Sequence, residues 1–344
     1  MIFDLISVSI IFFIFFFIFK KFKILNDDSS YSHHKKFIKN QRSPILLGGV
    51  FLMTIFIIFS NYSFFPFKFS LFLIFLLGLF SDKNFFPSPK LRLLIQLFIL
   101  IYIIFYQDLK IIDLRVEQLN LILSNSLINL IFTTFCLAIL INGCNFIDGL
   151  NGLLTGYSIL ILSSIIFIGS NFINLDIVNE YFLFILIFCL ILFFTVNLFG
   201  LVFLGDNGSY IISLYLGIYL IILSMSNEYL SPYYVASMLW YPAFENLFSF
   251  VRRMISRKNV SSADNLHFHQ ILYAYINSLK IFKNRYQFSN NLSTLLILII
   301  NLPGFILSSL YPFNTKLLVF VIIFNVLIYL SSYFFLFSKN FKNK

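Results

Sequence analysis

"MIFDLISVSIIFFIFFFIF" occupies residues 1–19 and holds one charged side chain, Asp4. At about 1.5 Å per residue a helix of this length crosses roughly 30 Å of hydrocarbon. Inside a bilayer every backbone polar group needs a partner from the chain itself, and a helix supplies them all. No cationic segment precedes the apolar run and no small-residue cleavage site follows it, so a retained helix is expected rather than a signal peptide. Similar runs recur at about 45–60, 67–80, 93–107, 127–142, 152–170, 180–196, 209–226, 233–251, 291–310 and 316–337. The 344-residue chain is 60% hydrophobic and 11% charged, with 49 Phe and a mean hydropathy of +0.92. Such a composition excludes a water-soluble globule. The expected fold is an all-α integral membrane protein of about eleven transmembrane helices, a single polytopic domain over residues 1–344.

Basic residues orient these spans. With the N-terminus outside (periplasmic) and the C-terminus cytoplasmic, the inner segments are 20–44, 81–92, 143–151, 197–208, 252–290 and the tail. They hold 20 of the 24 Lys and Arg, leaving Lys68, Lys110, Arg115 and Lys316 outside. Cytoplasmic loops carry such an excess. The net charge of +10 is therefore expected to face membrane lipid, and nucleic acid is not an expected partner. Cys136, Cys144 and Cys189 have neither pairing nor metal spacing and are expected to be inert buried thiols. "LKIIDLRVEQLN" (109–120) alternates apolar and polar residues on the outer side, which suits a short interfacial helix or a strand.

The distinctive polar stretches fall on the inner side. They are "NQRSPILLGGV" with Arg42; "GLFSDKNFFPSPKLRLLIQ" with Asp82, Lys90 and Arg92; "NGCNFIDGLNG" with Asn145, Asp148 and Asn151; "FLGDNGSYI" with Phe203 and Asp206; and "SSADNLHFHQIL" with Asp264, His267 and His269. Each of these aspartates, taken alone, is also an ordinary helix cap. Together, acids at helix mouths with Lys, Arg and His on neighbouring loops suit a substrate that combines phosphate with a divalent cation. Mg²⁺ characteristically takes one or two carboxylates plus substrate phosphates.

From Arg42 to His269 the order and side of these motifs resemble the polyprenyl-phosphate N-acetylhexosamine-1-phosphate transferases, with "NGCNFIDGLNG" and "FLGDNGS" the most specific parts. Glu245 in "YPAFENLFSFVRR" matches an acidic position of the family's ninth span. The resemblance implies transfer of an amino-sugar 1-phosphate from a UDP-sugar to undecaprenyl phosphate at the cytoplasmic face of a bacterial inner membrane. It also implies UMP as product, Mg²⁺ or Mn²⁺ as cofactor, and a homodimer. By the same resemblance Asp206 binds the metal with Asn145 nearby, and Phe203 packs on uracil. Asp148 and Asn151 belong to the nucleotide pocket, His267 and His269 with Lys90 and Arg92 contact the diphosphate, and Asp82 serves the lipid phosphate as orienter or base.

Three departures stand out. Ser81 replaces the first of two adjacent acids usual in the family. Asn151 stands where bacterial members usually carry Asp. "HFHQ" replaces a run of three histidines, which points away from the peptidoglycan translocase and toward an enzyme that starts a surface polysaccharide or lipopolysaccharide. A catalytically inactive scaffold and a secondary transporter are the rival readings. A transporter would need ionisable groups near the bilayer midplane, often in repeated halves, and no repeat is evident.

Overall fold

The computed structural model describes residues 2–25, 44–59, 65–86, 88–173, 175, 177–256, 266–283 and 285–341. Arg42 and Asp264 lie outside them. In chain order the elements are α1 Ile2–Phe22, β1 Ile45–Leu46, α2 Gly48–Phe59, α3 Phe65–Asp82, α4 Pro89–Gln107, α5 Glu117–Leu123, α6 Ser126–Ile147 and α7 Leu153–Asn171. They continue with α8 Ile177–Leu198, β2 Val202–Phe203, α9 Gly205–Ser226, α10 Pro232–Ile255, α11 Phe268–Ser278, α12 Tyr286–Leu310 and α13 Thr315–Phe341.

Each of the eleven apolar runs forms a helix. Among the described residues eight are long and apolar enough to cross a membrane: α1, α4, α6, α7, α8, α9, α12 and α13. The other three are α2, which has only 12 residues; α3; and α10, which carries Glu245, Arg252 and Arg253. Local sequence accounts for several helix starts. Pro89 and Pro232 stand in first turns, where no donor is lost. The Asn125 side chain accepts from the N–H groups of Leu127 and Ile128 to start α6.

At the centre lies α9, buried along most of its length, with α2, α3 and α6 packed around it. By contrast α1 is largely exposed on the outside of the bundle, in keeping with an apolar surrounding. The ambiguous 109–120 stretch contains a short helix, α5, not a strand. Asn129 holds it in place by donating to the carbonyls of Ile111 and Leu123, at 2.9 and 3.0 Å. Cys144 and Cys189 are buried, Cys136 is half-buried, and all three are free thiols.

One pairing had no sequence signal. β1 and β2 form a two-residue parallel ladder with Ile45 opposite Val202 and Leu46 opposite Phe203. It brings the start of α2 against the start of α9, where Gly48 lies on Leu204: a Cβ on this glycine would sit 2.6 Å from the Leu204 Cα. On the neighbouring face, a Cβ on Gly78 of α3 would fall 2.4 Å from the Asn207 Cα. Two helices thus meet the first turn of α9 backbone to backbone, a packing that only glycine permits.

Candidate active site

The close approach at Gly78 delivers the end of α3 to the positive end of α9. Asp82 accepts from the backbone N–H of Asp206 at 2.9 Å through Oδ1 and from that of Asn207 at 3.1 Å through Oδ2. The first N–H groups of a helix have no partner within it, and a carboxylate there is favoured by the helix dipole. Asp82, expected beside a lipid phosphate, is therefore engaged as a cap supplied from another helix, 124 residues away.

Asp206 stands in this same first turn with its side chain 26% exposed. Its Oδ2 accepts from Ser81 Oγ at 2.5 Å and pairs with Arg92 Nη1 at 3.3 Å. Arg92 Nη1 in turn donates to Ser81 Oγ at 2.5 Å. Ser81, one residue before the cap, thus joins a cation on α4 to an acid on α9. Asn145, near the end of α6, accepts at Oδ1 from Ser209 Oγ at 3.2 Å, one turn into α9. Four helix ends so converge on one oxygen-rich corner.

A second cluster lies across the end of α6. The His267 ring stacks on His269, with centroids 5.6 Å apart and an interplanar angle of 13°, and tilts against Phe146 at 4.7 Å. Arg253 lies over the other ring contact of this corner, 6.0 Å from the Phe146 centroid. His269 packs on Gly149, in the turn after Asp148. Behind His267, the buried Glu245 accepts from His267 Nδ1 at 3.0 Å, from the Phe268 N–H at 3.2 Å and from the Tyr329 hydroxyl at 2.9 Å. A carboxylate only accepts, so Nδ1 carries the proton in this pair.

The remaining sequence-derived candidates are dispersed around these clusters. Asp148 is half-buried at the C-terminal cap of α6. Asn151 is buried, and its backbone is tied to α12 through Asn290 Oδ1 at 3.1 Å and Thr294 Oγ1 at 2.8 Å. Phe203 is buried within β2. Lys90 is exposed on α4, two residues from Arg92 and so on a different helix face. Among the described residues no three His, Cys, Asp or Glu side chains gather as a metal cage. The oxygen donors of Asp206 and Asn145 instead fit a hard cation that completes its shell with water and phosphate.

Sequence reasoning missed Ser209, Tyr329, Asn290 and Thr294. Ser209 sits in the "GDNGS" motif and could have been found there. The other three come from apolar helices without any local signal.

Residues 64–224 match the model of glycosyl transferase family 4. The matched segment contains the whole Ser81–Asp82–Arg92–Asn145–Asp206 corner and ends before Glu245 and the histidines. The chain is 31% identical over 142 residues to the undecaprenyl-phosphate alpha-N-acetylglucosaminyl 1-phosphate transferase of Thermotoga maritima, which is 41% of this chain and 42% of that one. It is 29% identical over 209 residues to a probable undecaprenyl-phosphate N-acetylglucosaminyl 1-phosphate transferase of Bacillus subtilis, 59% of this chain and 56% of that one. The chain thus spans about half the length of each of these relatives.

Proposed function

We propose that this chain transfers an N-acetylamino-sugar 1-phosphate from a UDP-sugar to undecaprenyl phosphate at the cytoplasmic face of a bacterial inner membrane. The step would begin a surface polysaccharide or lipopolysaccharide. An oxygen of the lipid phosphate attacks the sugar-bearing phosphorus, the bond from that phosphorus to the bridging oxygen breaks, and UMP leaves with that oxygen. The observation that carries the reading is the corner where Ser81 and Arg92 reach Asp206, with Asn145 on Ser209 one turn along α9, all inside the segment matched to the family. The named activity of the two relatives supports the same chemistry. The location of 20 of 24 basic residues in segments on the site's side supports the cytoplasmic orientation.

Transfers of this class ask little covalent chemistry of the protein; positioning and charge neutralisation dominate. A divalent cation, Mg²⁺ or Mn²⁺, would be held by Asp206 and Asn145 and would supply charge neutralisation at the diphosphate. Arg92, Lys90 and His267, with His269 beside it, offer further positive or hydrogen-bonding groups to phosphate oxygens. Phe203, Asp148 and Asn151 are proposed to receive the nucleoside. Asp82 holds the first turn of α9, and with it Asp206, in place.

The test is UMP release by the purified full-length chain supplied with undecaprenyl phosphate, Mg²⁺ and a panel of UDP-sugars. Release that needs both lipid and cation is expected. No release with any UDP-sugar, or release indifferent to the lipid, would overturn the reading.

The same assay separates two roles for Asp82. As a cap it is worth about 0.5–2 kcal/mol, roughly one decade of rate at about 1.4 kcal/mol per decade. A required base would be worth about two to four decades. Asp82→Asn, which keeps one acceptor, is expected to lower turnover by about tenfold or less, evenly from pH 6 to 9. A loss beyond about a thousandfold in that variant would return Asp82 to the role of base.

A further inference from the structure

Two groups meet on a single atom, Oδ2 of Asp206. Ser81 Oγ lies 2.5 Å from it and Arg92 Nη1 3.3 Å from it, while the same Nη1 is 2.5 Å from Ser81 Oγ. Of the two carboxylates in this corner, Asp82 is engaged by the N–H groups of Asp206 and Asn207, which leaves Asp206 to meet a cation. A neighbouring acid at position 81 would let a cation and a guanidinium each find an anionic partner. Ser81 is neutral and buried, and a hydroxyl can bridge the other two groups but adds no charge. Arg92 and a divalent cation are then both drawn to Asp206, whose Oδ2 Arg92 already holds. The carboxylate is the fixed member of the pair, because Asp82 holds the backbone N–H of Asp206 itself at 2.9 Å. Arg92 is the movable one: it projects from α4 on a long stem, and its side chain is 28% exposed.

We propose that Arg92 is a latch on the cation site, closed on Asp206 in the nucleotide-free chain and drawn off by the substrate's diphosphate, so that cation and nucleotide bind together and neither binds well alone. The proposal rests on the reading of Asp206 as the cation-binding acid. A guanidinium pairs well with phosphate oxygens, and a diphosphate brings negative charge for both Arg92 and the cation. When the guanidinium moves to phosphate, Oδ2 of Asp206 is left to the metal. Linkage then requires the cation to tighten nucleotide binding by the same factor that the nucleotide tightens cation binding.

Mn²⁺ binding to the full-length chain in nanodiscs, followed by the EPR signal of the free ion with and without UDP, tests this directly. Wild type is expected to bind Mn²⁺ weakly alone and at least about tenfold more tightly with UDP. Arg92→Gln is expected to bind Mn²⁺ alone about five- to tenfold more tightly than wild type, the size of a partly exposed ion pair, and to lose most of the effect of UDP. Arg92→Lys keeps the charge and is expected to keep weak binding of the ion alone. If Arg92→Gln does not tighten binding, or if Arg92→Lys tightens it equally, the latch is wrong. Asp206→Asn separates the two ideas. It should abolish the UDP-dependent site; if it binds Mn²⁺ with UDP as wild type does, the cation assignment fails and the latch with it. If it abolishes the site while Arg92→Gln changes nothing, the assignment stands and the latch alone falls.

Discussion

Asp206→Asn is expected to reduce sugar-phosphate transfer by about a thousandfold, because it removes one negative charge from a corner built to present it. A single preorganised electrostatic group is worth about 10²–10³ in rate, or about 3–4 kcal/mol of barrier. The preorganisation is visible in the cap, in which both carboxylate oxygens of Asp82 receive successive backbone N–H groups of the turn that carries Asp206. Asparagine keeps the shape of the side chain, and its amide oxygen can still accept from Ser81. With the side chain 26% exposed, loss of the Arg92 pair costs little folding energy, since partly exposed ion pairs contribute about 1 kcal/mol or less. Initial UMP release at saturating Mg²⁺, together with an unchanged thermal midpoint in detergent, is the measurement. Turnover within about tenfold of wild type in a folded variant would remove Asp206 from the chemistry.

Glu245→Ala is expected to cause the largest loss of stability. This carboxylate is 1% exposed and holds His267, the Phe268 N–H and the Tyr329 hydroxyl. Removing it leaves three buried donors without their acceptor, at about 1–3 kcal/mol each before relaxation. Hydrogen bonds to a buried carboxylate are stronger than neutral ones, and the effect here should be about 3–5 kcal/mol. The damage should centre on α11, because two of the three bonds hold its first residues to α10, while the third ties α13 to the same acid. Glu245→Gln retains an acceptor for each of two donors and should be milder. Thermal unfolding in detergent and limited proteolysis around residues 266–283 check both variants. An alanine variant with wild-type stability and a protected α11 would show that the network holds nothing together.

The limits of sequence reasoning show in individual residues. Asp82 and Asp206 could be placed at the same face of the membrane by the distribution of Lys and Arg. That Asp82 caps the helix bearing Asp206 could not be read, because the contact joins residues 124 apart. Ser81 was legible only as a departure from a pattern. Its position between Arg92 and Asp206 is what gives the departure a consequence. Tyr329 carried no signal, since a tyrosine in an apolar helix reads the same whether it faces lipid or a buried acid. The alternating 109–120 stretch stayed open between helix and strand because its period is too short to decide. Asn129, from the next helix, settles it by binding the carbonyls of Ile111 and Leu123.

The sequence by itself determined that the chain is helical and made for a membrane. Long apolar runs leave the backbone no other way to satisfy its polar groups in hydrocarbon, and that constraint acts within each segment. That the polar motifs gather on one side was equally local, since it follows from counting charges beside each run. Only the tertiary structure decided which helix ends touch, which carboxylate caps and which one faces the open corner. Those outcomes depend on the two-residue ladder from Ile45 to Phe203 and on backbone contact at Gly48 and Gly78. Such contacts are set by the fit of distant surfaces, for which neither hydropathy nor periodicity along the chain carries a signal.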